Sequence, residues 1–236
     1  MGHTVYIPFW AAGTATAVTP GTEASAQDHA SASPKSITVN QWYYDAAHIS
    51  KLAKKEQLAD YMKGATESCA YSVAKQIDTS VNALFSGLSS SVVHGADAQT
   101  FTDAIFRALV ETLDEADVPS EFRVLIGDPS TKADVLDIDK FVRVDYVRTP
   151  VVPTGMIGEL YGSRIFVTNN LTAYSTGSYG VYAHRDAIGI AVQLNPNVLF
   201  KAQDEKFIAG LIVVDAAWGV AELRDTFGKS FYTRKS

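Results

Sequence analysis

The sequence has little cysteine, a deficit of positive charge and no long apolar run. Cys69 is the single cysteine among 236 residues, which excludes an internal disulfide and a cysteine-based zinc site. No apolar run reaches the roughly 18 residues that a membrane-spanning helix needs, and the amino-terminal residues MGHTVYIPFW lack the pattern of a secretory signal. The net charge of -6 argues against a main affinity for nucleic-acid phosphates. These absences exclude a disulfide-rich toxin, a membrane protein and a basic DNA-binding protein.

The sequence also lacks a recognisable catalytic or metal-binding motif. The histidines have no HxxxH or HxH spacing, and there is no phosphate-binding loop, dinucleotide fingerprint or GxSxG elbow. His184, Arg185 and Asp186 form the one compact polar trio. Adjacent residues of a strand point to opposite faces, whereas a catalytic triad must converge on a nucleophile. We therefore interpret the trio as a polar patch or an intersubunit contact, with catalysis as a remote option, and we expect no catalytic, cofactor-binding or metal-ligating residues.

Three further features have a simple explanation beside a functional one. Asn170-Leu171-Thr172 matches the glycosylation acceptor pattern, which we take as accidental without a signal peptide. Lys35 is a candidate crosslinking nucleophile, although a solvated lysine is the simpler interpretation. Trp42, Tyr43 and Tyr44 indicate a core or interface position rather than base stacking, because no basic residues lie among them.

The charged residues are unevenly distributed along the chain. Residues 1–44 contain three charged side chains, Glu23, Asp28 and Lys35. Residues 111–139 contain nine acidic and two basic residues, a net of -7, whereas the last thirteen residues contain four basic residues and one acidic residue. The pattern indicates a solvated acidic face and a basic tail, and such opposite poles would also suit head-to-tail contact between copies of the chain.

Two alternating segments near the amino terminus predict a β-hairpin. Apolar residues alternate with other residues over 4–9 and again over 36–40, and a small, polar segment at 19–34 separates them. A lone hairpin is marginally stable in water and needs a surface to lie on. The hairpin therefore either joins a sheet of its own chain or extends as an arm over a neighbouring copy.

The rest of the chain predicts an α+β protein. Apolar spacing indicates a helix over 54–88, about 50 Å long and bent or broken near Gly64. A second helix is expected from a Thr100 N-cap to Ala116. Further elements are expected in this order: a strand at 122–126, a helix at 132–138, strands at 141–147, 156–160 and 164–168, a loop at 173–180, a strand or helix–strand unit at 181–194, and two apolar runs at 207–214 and 218–223 that fit a hairpin or a helix.

In this order, the segments of the chain resemble the major capsid proteins of tailed bacteriophages, which have the Hong Kong 97-type fold. The resemblance covers nearly the whole chain and depends more on the order of the segments than on any one of them. The segments that carry it are SITVNQWYYDAAHISKLAKKEQ (36–57), AYSVAKQID (70–78), AKQIDTSVNALF (74–85), GMIGELYGSRIFVTNNL (155–171), AHRDAIGIAVQ (183–193) and WGVAELRDTFGKSFYT (218–233).

The resemblance implies four regions along the chain. Residues 1–45 would form the extended loop, a β-hairpin arm, and residues 46–98 the peripheral domain with its long spine helix. Residues 99–200 would form the mixed α/β axial domain, and residues 201–236 the return strands of the peripheral β-sheet. Because such proteins usually carry an amino-terminal arm before the loop, we expect either a minimal arm here or a longer precursor.

The resemblance also implies a structural rather than an enzymatic role. Copies of the chain would assemble as pentamers and hexamers into an icosahedral shell that encloses double-stranded DNA without reading its sequence, made in the host cytoplasm and found in the virion. Scaffolding, portal and decoration proteins are the possible further partners, with no membrane and no cofactor. The alternatives are an encapsulin-type nanocompartment with the same fold, a soluble α/β hydrolase that uses His184 and Asp186, and a decoration or tail protein, for which the long helix would be superfluous.

Overall fold

Three sheets and three α-helices make up the structure, a computed structural model that describes residues 3–8, 15–21, 23, 34–50, 61–88, 94–138, 159–204 and 209–235. The strands are β1 (Thr4–Ile7), β2 (Lys35–Thr38), β3 (Gln41–Ser50), β4 (Arg123–Gly127), β5 (Glu159–Leu160), β6 (Ser163–Val167), β7 (Ala173–Tyr174), β8 (Gly177–His184), β9 (Ile188–Asp204), β10 (Ala209–Glu222) and β11 (Gly228–Arg234). The helices are α1 (Tyr61–Asn82), α2 (Asp103–Glu115) and α3 (Pro129–Leu136), with 3₁₀ turns at Phe85–Gly87 and Asp225–Phe227. Among these residues, no helix combines the length and the apolar character that a membrane crossing requires.

The predicted hairpin is confirmed and forms a sheet of its own. β1 pairs antiparallel with β2, with Val5 opposite Ile37. The second sheet has the order β3-β10-β9, and all its pairs are antiparallel. The third sheet has the order β11-β8-β4-β6-β5, with β7 added to β8 and one parallel pair between β4 and β6. The predicted α+β class is therefore correct.

Helix α1 connects the second and third sheets. Its apolar face, with Cys69 and Val73, packs on Val214, Ala216 and Trp218 of β10. After the helix, the 3₁₀ turn at Phe85–Gly87 follows, and Phe85 and Leu88 are buried on one face of the third sheet. Helices α2 and α3 cover the opposite face of that sheet. One continuous segment therefore contributes to the cores under both sheets.

The predicted helix over 54–88 is wrong at its carboxyl end. Helix α1 ends at Asn82, so the described helix has 22 residues and a length of about 33 Å. At this end the Asn82 side chain donates to the carbonyl of Asn170 at 2.8 Å, and the next residues turn toward the third sheet. Gly64 lies within the helix, and residues 54–60 lie outside the described residues.

Several other boundaries differ from the expectations. The N-cap of α2 is Thr102 rather than Thr100, and α3 begins at Pro129 with an Asp128 N-cap rather than at residue 132. The predicted loop at 173–180 contains β7 and the start of β8. The runs 207–214 and 218–223 belong to one continuous strand, β10, and form neither a hairpin nor a helix. The predicted strand at 141–147 and most of the one at 156–160 lie outside the described residues.

Strand pairing divides the chain differently from the predicted boundary at residue 200. β9, most of which was expected in the axial domain, pairs with β10 in the second sheet. β11, expected among the peripheral return strands, pairs with β8 in the third sheet. Both departures have the same cause, since the chain crosses between the two sheets at residues 185–187 and returns at residues 223–227.

Candidate assembly surfaces

The base of the hairpin is fixed to the second sheet by apolar contacts and two glycines. Ile37 is 2% exposed and lies over Gly189, where an added β-carbon would come within 2.8 Å of its side chain. Gly219 approaches the backbone at the end of β2 closely enough that an added β-carbon would lie 2.9 Å from the Val39 α-carbon. Val39 also donates its N–H to the carbonyl of His3 at 3.0 Å. The hairpin therefore leaves the sheet from a closely packed base.

Beyond this base, the hairpin has little cover from its own chain. Tyr6 is 69% exposed and Val5 is 46% exposed. Lys35, the candidate crosslinking residue, lies exposed at the start of β2. Of the two possibilities that the sequence left open, a hairpin within a larger sheet does not occur among the described residues, because β1 and β2 pair only with each other there.

The second sheet has one covered and one open face. Side chains of β10 alternate between full burial under α1, as for Val214, Ala216 and Trp218, and partial exposure on the other side. On the open face, Trp42 is 74% exposed and Tyr44 is 73% exposed. Two large aromatic side chains therefore lie in solvent on a sheet that α1 covers from one side only.

We define the open face as Trp42, Tyr44, Leu194 and Leu199. Leu199 of β9 is 55% exposed and lies opposite Val213 of β10. The indole N–H of Trp42 donates to a carboxylate oxygen of Asp215 at 3.0 Å, which fixes the ring on the face. A groove of about 420 Å³ runs beside it and is lined in part by Leu194. Exposed apolar patches of this kind mark surfaces that contact other molecules.

The aromatic trio of the sequence is divided between the two faces. Tyr43 lies on the same side as α1, where its ring is still 44% exposed and stacks on Trp218 with centroids 5.4 Å apart. The three residues therefore have different roles: Tyr43 packs partly against the buried Trp218, whereas Trp42 and Tyr44 belong to the open face.

Strand β9 provides a second exposed apolar surface. Its 17 residues form an edge strand of the second sheet within the described part of the chain. Ile190, Val192, Val198 and Phe200 are each between 46% and 49% exposed. An edge strand leaves N–H and C=O groups available for pairing, and natural proteins normally protect such edges with charge or proline. This long apolar edge is therefore typical of a surface that another chain covers.

The third sheet is held by a buried network of carboxylates and hydroxyls. Asp128 accepts hydrogen bonds from the Thr131 N–H at 2.8 Å, the Thr131 hydroxyl at 2.6 Å and the Ser178 hydroxyl at 3.0 Å. Burial raises the pKa of the Asp128 carboxyl, but these hydrogen bonds outweigh it and hold the pKa below its usual value. Asp134 accepts the N–H of Phe101 at 2.8 Å and pairs with Arg234. The network joins α3 to β8 and β11.

This network changes the interpretation of the charge pattern. The basic tail and the acidic middle segment meet within one chain, since Arg234 lies 2.5 Å from Asp134. Arg123 is 4% exposed and pairs with Asp114 at 2.7 Å. Part of the charge that suggested contact between copies is thus neutralised internally.

The other candidate residues have structural environments. Cys69 is buried against β10, and burial raises the pKa of its thiol, as does the nearby Asp45. The Asn170 side-chain amide donates to the carbonyl of Lys75 at 3.0 Å and to the Thr79 hydroxyl at 2.8 Å, which ties the loop after β6 to α1. Within the described ranges, no group of three His, Cys, Asp or Glu side chains is placed to hold a metal ion.

The polar trio does not form a catalytic arrangement. His184 is 5% exposed at the end of β8, and its Nδ1 accepts the N–H of Asp186 at 3.2 Å. The Arg185 guanidinium lies 4.2 Å from the centre of the exposed Phe122 ring. The trio therefore forms the turn between β8 and β9.

Comparison with solved structures identifies the fold. No protein-family model matches the sequence, and no curated protein matches it either. A structure from Mycobacterium phage Che8 matches with a TM-score of 0.76 and 18% identity, over 98% of this chain and 85% of that chain. The capsid structure of cyanophage P-SCSP1u matches with a TM-score of 0.78 and 13% identity, over 100% of this chain and 85% of that chain. The mature capsid of bacteriophage PhiM1 matches with a TM-score of 0.70 and 14% identity, over 98% of this chain and 82% of that chain. With the independent hairpin, the connecting helix and the two larger sheets, these matches show that the chain has the Hong Kong 97-type fold of tailed-phage capsid structures.

Proposed function

We propose that this chain is the major capsid protein of a tailed bacteriophage, and that its copies assemble as pentamers and hexamers into an icosahedral shell enclosing double-stranded DNA. The exposed apolar surfaces carry the proposal, since the hairpin, the open face and β9 all present side chains that a lone subunit leaves in water. The likeness to whole phage capsids supports self-assembly and a place in the virion.

The role is structural, not enzymatic. The His184 turn holds its own backbone, and Cys69 packs within the core. Assembly in the host cytoplasm and contacts with scaffolding, portal and decoration proteins belong to the same proposal. The enclosed DNA is held without sequence readout, in keeping with a net charge of -6.

The strand pairing supports a refined division into regions. Residues 1–45 form the extended loop and its exit from the peripheral sheet, and residues 46–98 include the spine helix α1. We now assign β9 to the peripheral region together with β10, and β11 to the axial region together with β8, because hydrogen-bonded strands of one sheet move as a unit.

The experiment is sedimentation and negative-stain microscopy of the expressed chain. Closed shells in the megadalton range are expected, and a species of one or two subunits would overturn the proposal. Nucleic acid inside shells from infected cells supports the phage role. A protein cargo in its place would instead identify an encapsulin-type compartment.

A deletion of residues 19–34 tests the hairpin separately. The subunit is expected to fold, because the anchoring residues Ile37 and Val39 remain, but shell formation should fall. Substitution of Asp28 by Asn in the full-length chain is the control, since it changes the charge of the same segment without shortening it. Normal shells from the deletion would refute the role of the hairpin as an intersubunit arm.

A further inference from the structure

The second and third sheets are connected by a small joint made of two chain crossings. The chain passes from β8 to β9 through residues 185–187 and from β10 to β11 through residues 223–227. The carbonyl of Ala187 in the first crossing accepts the N–H groups of Leu223 at 2.8 Å and Arg224 at 3.2 Å in the second. The two crossings are thereby bound to each other, and Ala187 carries both bonds.

His184 holds the first crossing in its turn. Its carbonyl accepts the N–H of Ala187 at 3.0 Å, and its Nδ1 accepts the N–H of Asp186 at 3.2 Å. Because Nδ1 accepts a hydrogen bond from the backbone, it carries no proton in this arrangement. The ring is buried and lies edge-on to Phe227 of the second crossing, with centroids 5.6 Å apart. One neutral imidazole therefore touches both crossings.

A competing partner for the same nitrogen lies nearby. An Asp186 carboxylate oxygen is 3.7 Å from Nδ1. A protonated Nδ1 becomes a donor, so it can no longer accept the Asp186 N–H, and the carboxylate becomes its natural acceptor. The two protonation states of the ring thus demand two different positions of the turn.

The surrounding charges set which state is occupied. Burial lowers the pKa of His184, Asp186 raises it, and Arg185, Arg123 and Arg224 lower it. Arg185 belongs to the same turn, Arg123 belongs to β4 and Arg224 belongs to the second crossing. The pKa of His184 is lowered from 6.5, so the ring is neutral at neutral pH and gains its proton as the pH falls below that of an ordinary histidine.

We propose that His184 is a proton-operated latch of the joint between the two sheets. With a neutral ring the turn is closed, and the Ala187 carbonyl binds the second crossing. When the ring gains a proton, Nδ1 turns from the Asp186 N–H to the Asp186 carboxylate, and the turn with its two cross-links to Leu223 and Arg224 loosens. Any consequence for shell geometry rests on the proposed function, but the latch itself is a property of the folded chain.

Hydrogen exchange read by mass spectrometry tests the latch, on unassembled subunits and on shells, between about pH 7.5 and about pH 4.5. After correction for intrinsic exchange, protection of the amides of Asp186, Leu223 and Arg224 is expected to fall by about tenfold or more as His184 gains its proton. A proton NMR titration of the imidazole in unassembled subunits gives the midpoint independently. Protection that stays constant through this midpoint would overturn the proposal.

Two substitutions separate the latch from general acid effects. His184→Asn places an amide oxygen near the position of Nδ1 and cannot titrate in this range, so protection should remain high at all these pH values. Asp186→Asn removes the carboxylate that accepts the protonated ring, so the midpoint should move to lower pH. His48→Asn, which changes an exposed histidine of β3, should leave the transition unaltered.

The outcomes distinguish the latch from the proposed function. A pH transition that persists in His184→Asn would exclude the latch, whether or not shells form. If that variant does not fold, an unchanged midpoint in Asp186→Asn excludes it instead. A chain that shows the transition but sediments as a single subunit would support the latch and remove the capsid proposal.

Discussion

Gly219 of β10 faces the carbonyl group of Thr38 at such close range that no β-carbon fits between them. This contact fixes the point at which the hairpin leaves the second sheet. Gly219→Ala should displace the end of β2 and destabilise the chain by about 1–3 kcal/mol, the usual cost of overpacking. Chemical unfolding measures this loss, and sedimentation measures the accompanying drop in shell yield. An unchanged unfolding midpoint would show that the hairpin base adjusts without cost.

Gly64→Ala is the matched control for that substitution. Gly64 lies in α1, and an added β-carbon would have nothing within 4 Å. Alanine in a helix is favoured over glycine, so this variant should gain about 0.5–1 kcal/mol. The same substitution should therefore lower the stability of the chain at position 219 and raise it at position 64. Only the Gly219 variant should reduce shell formation.

The sequence predicted correctly those elements in which the spacing of apolar residues matches the buried face of the element itself. The alternation around Val5 and Ile37 gave the hairpin, and the spacing of apolar residues gave the positions of α1 and α2. The end of α1 was missed because Phe85 and Leu88 continue the helical spacing while they pack on another sheet. Apolar spacing records that a residue is buried, but it does not record which surface buries it.

Strand β8 shows why composition misled at 173–180. Glycine and serine there are typical of a loop, yet Gly177 and Gly180 are required by the neighbouring strand β11. A β-carbon at Gly180 would collide with the ring of Phe231, and one at Gly177 with the backbone of Thr233. Both contacts join residues more than fifty positions apart in the sequence, so they cannot be predicted from local sequence patterns.

The open face was predictable only in part. Alternation places Trp42 and Tyr44 on one side of a strand and Tyr43 on the other. Which side α1 covers depends on the pairing of β3 with β10, which the sequence pattern does not contain. The resemblance to a capsid family predicted intersubunit surfaces in general, and the structure shows that Trp42 and Tyr44 are exposed on one sheet face.

Tyr44→Asp and Tyr43→Asp should separate assembly from folding. Tyr44 is 73% exposed, so its substitution should change stability by less than about 0.5 kcal/mol. A charge on the open face should nevertheless lower the shell yield, because its desolvation opposes contact between subunits. Thermal unfolding and sedimentation provide the two measurements. Full shell yield from Tyr44→Asp would remove the open face from the intersubunit contacts.

Tyr43→Asp is expected to act on folding instead. Its ring stacks on the buried Trp218 under α1. Tyr43 is 44% exposed, so loss of this contact should destabilise the chain by about 1–2 kcal/mol, which is still more than the change expected at Tyr44. The Tyr43 variant should therefore show its main effect in thermal unfolding, and the Tyr44 variant should show its main effect in the shell yield measured by sedimentation. Equal destabilisation by both variants would contradict the division of the sheet into a covered and an open face.

Asp128→Ala should be among the most destabilising changes of a single polar residue. The Asp128 carboxylate caps α3 and accepts from Thr131, Ser130 and Ser178. Removing it leaves several buried donors unpaired, so a loss of about 2–4 kcal/mol is expected by chemical unfolding. Glu121→Ala, at an exposed turn position before β4, is the control and should stay within about 0.5 kcal/mol.

The same carboxylate should make stability depend on acid. The folded-state pKa of Asp128 is lowered from 3.8, since its hydrogen bonds outweigh the opposing effect of burial. The unfolded chain therefore takes up this proton first as the pH falls. The stabilisation is fully present above about pH 4 and is lost as the pH falls through the lowered pKa of the folded state.

Urea midpoints between about pH 6 and about pH 2.5, measured for the native chain and for Asp128→Asn, test this dependence. The variant begins less stable, because an amide nitrogen replaces one acceptor, but it has no carboxyl to protonate at this position. The gap between the two chains should therefore narrow with acid, while contributions from all other carboxyls cancel in the difference. If the difference in urea midpoint stays constant down to the lowest pH, folding does not lower the pKa of Asp128.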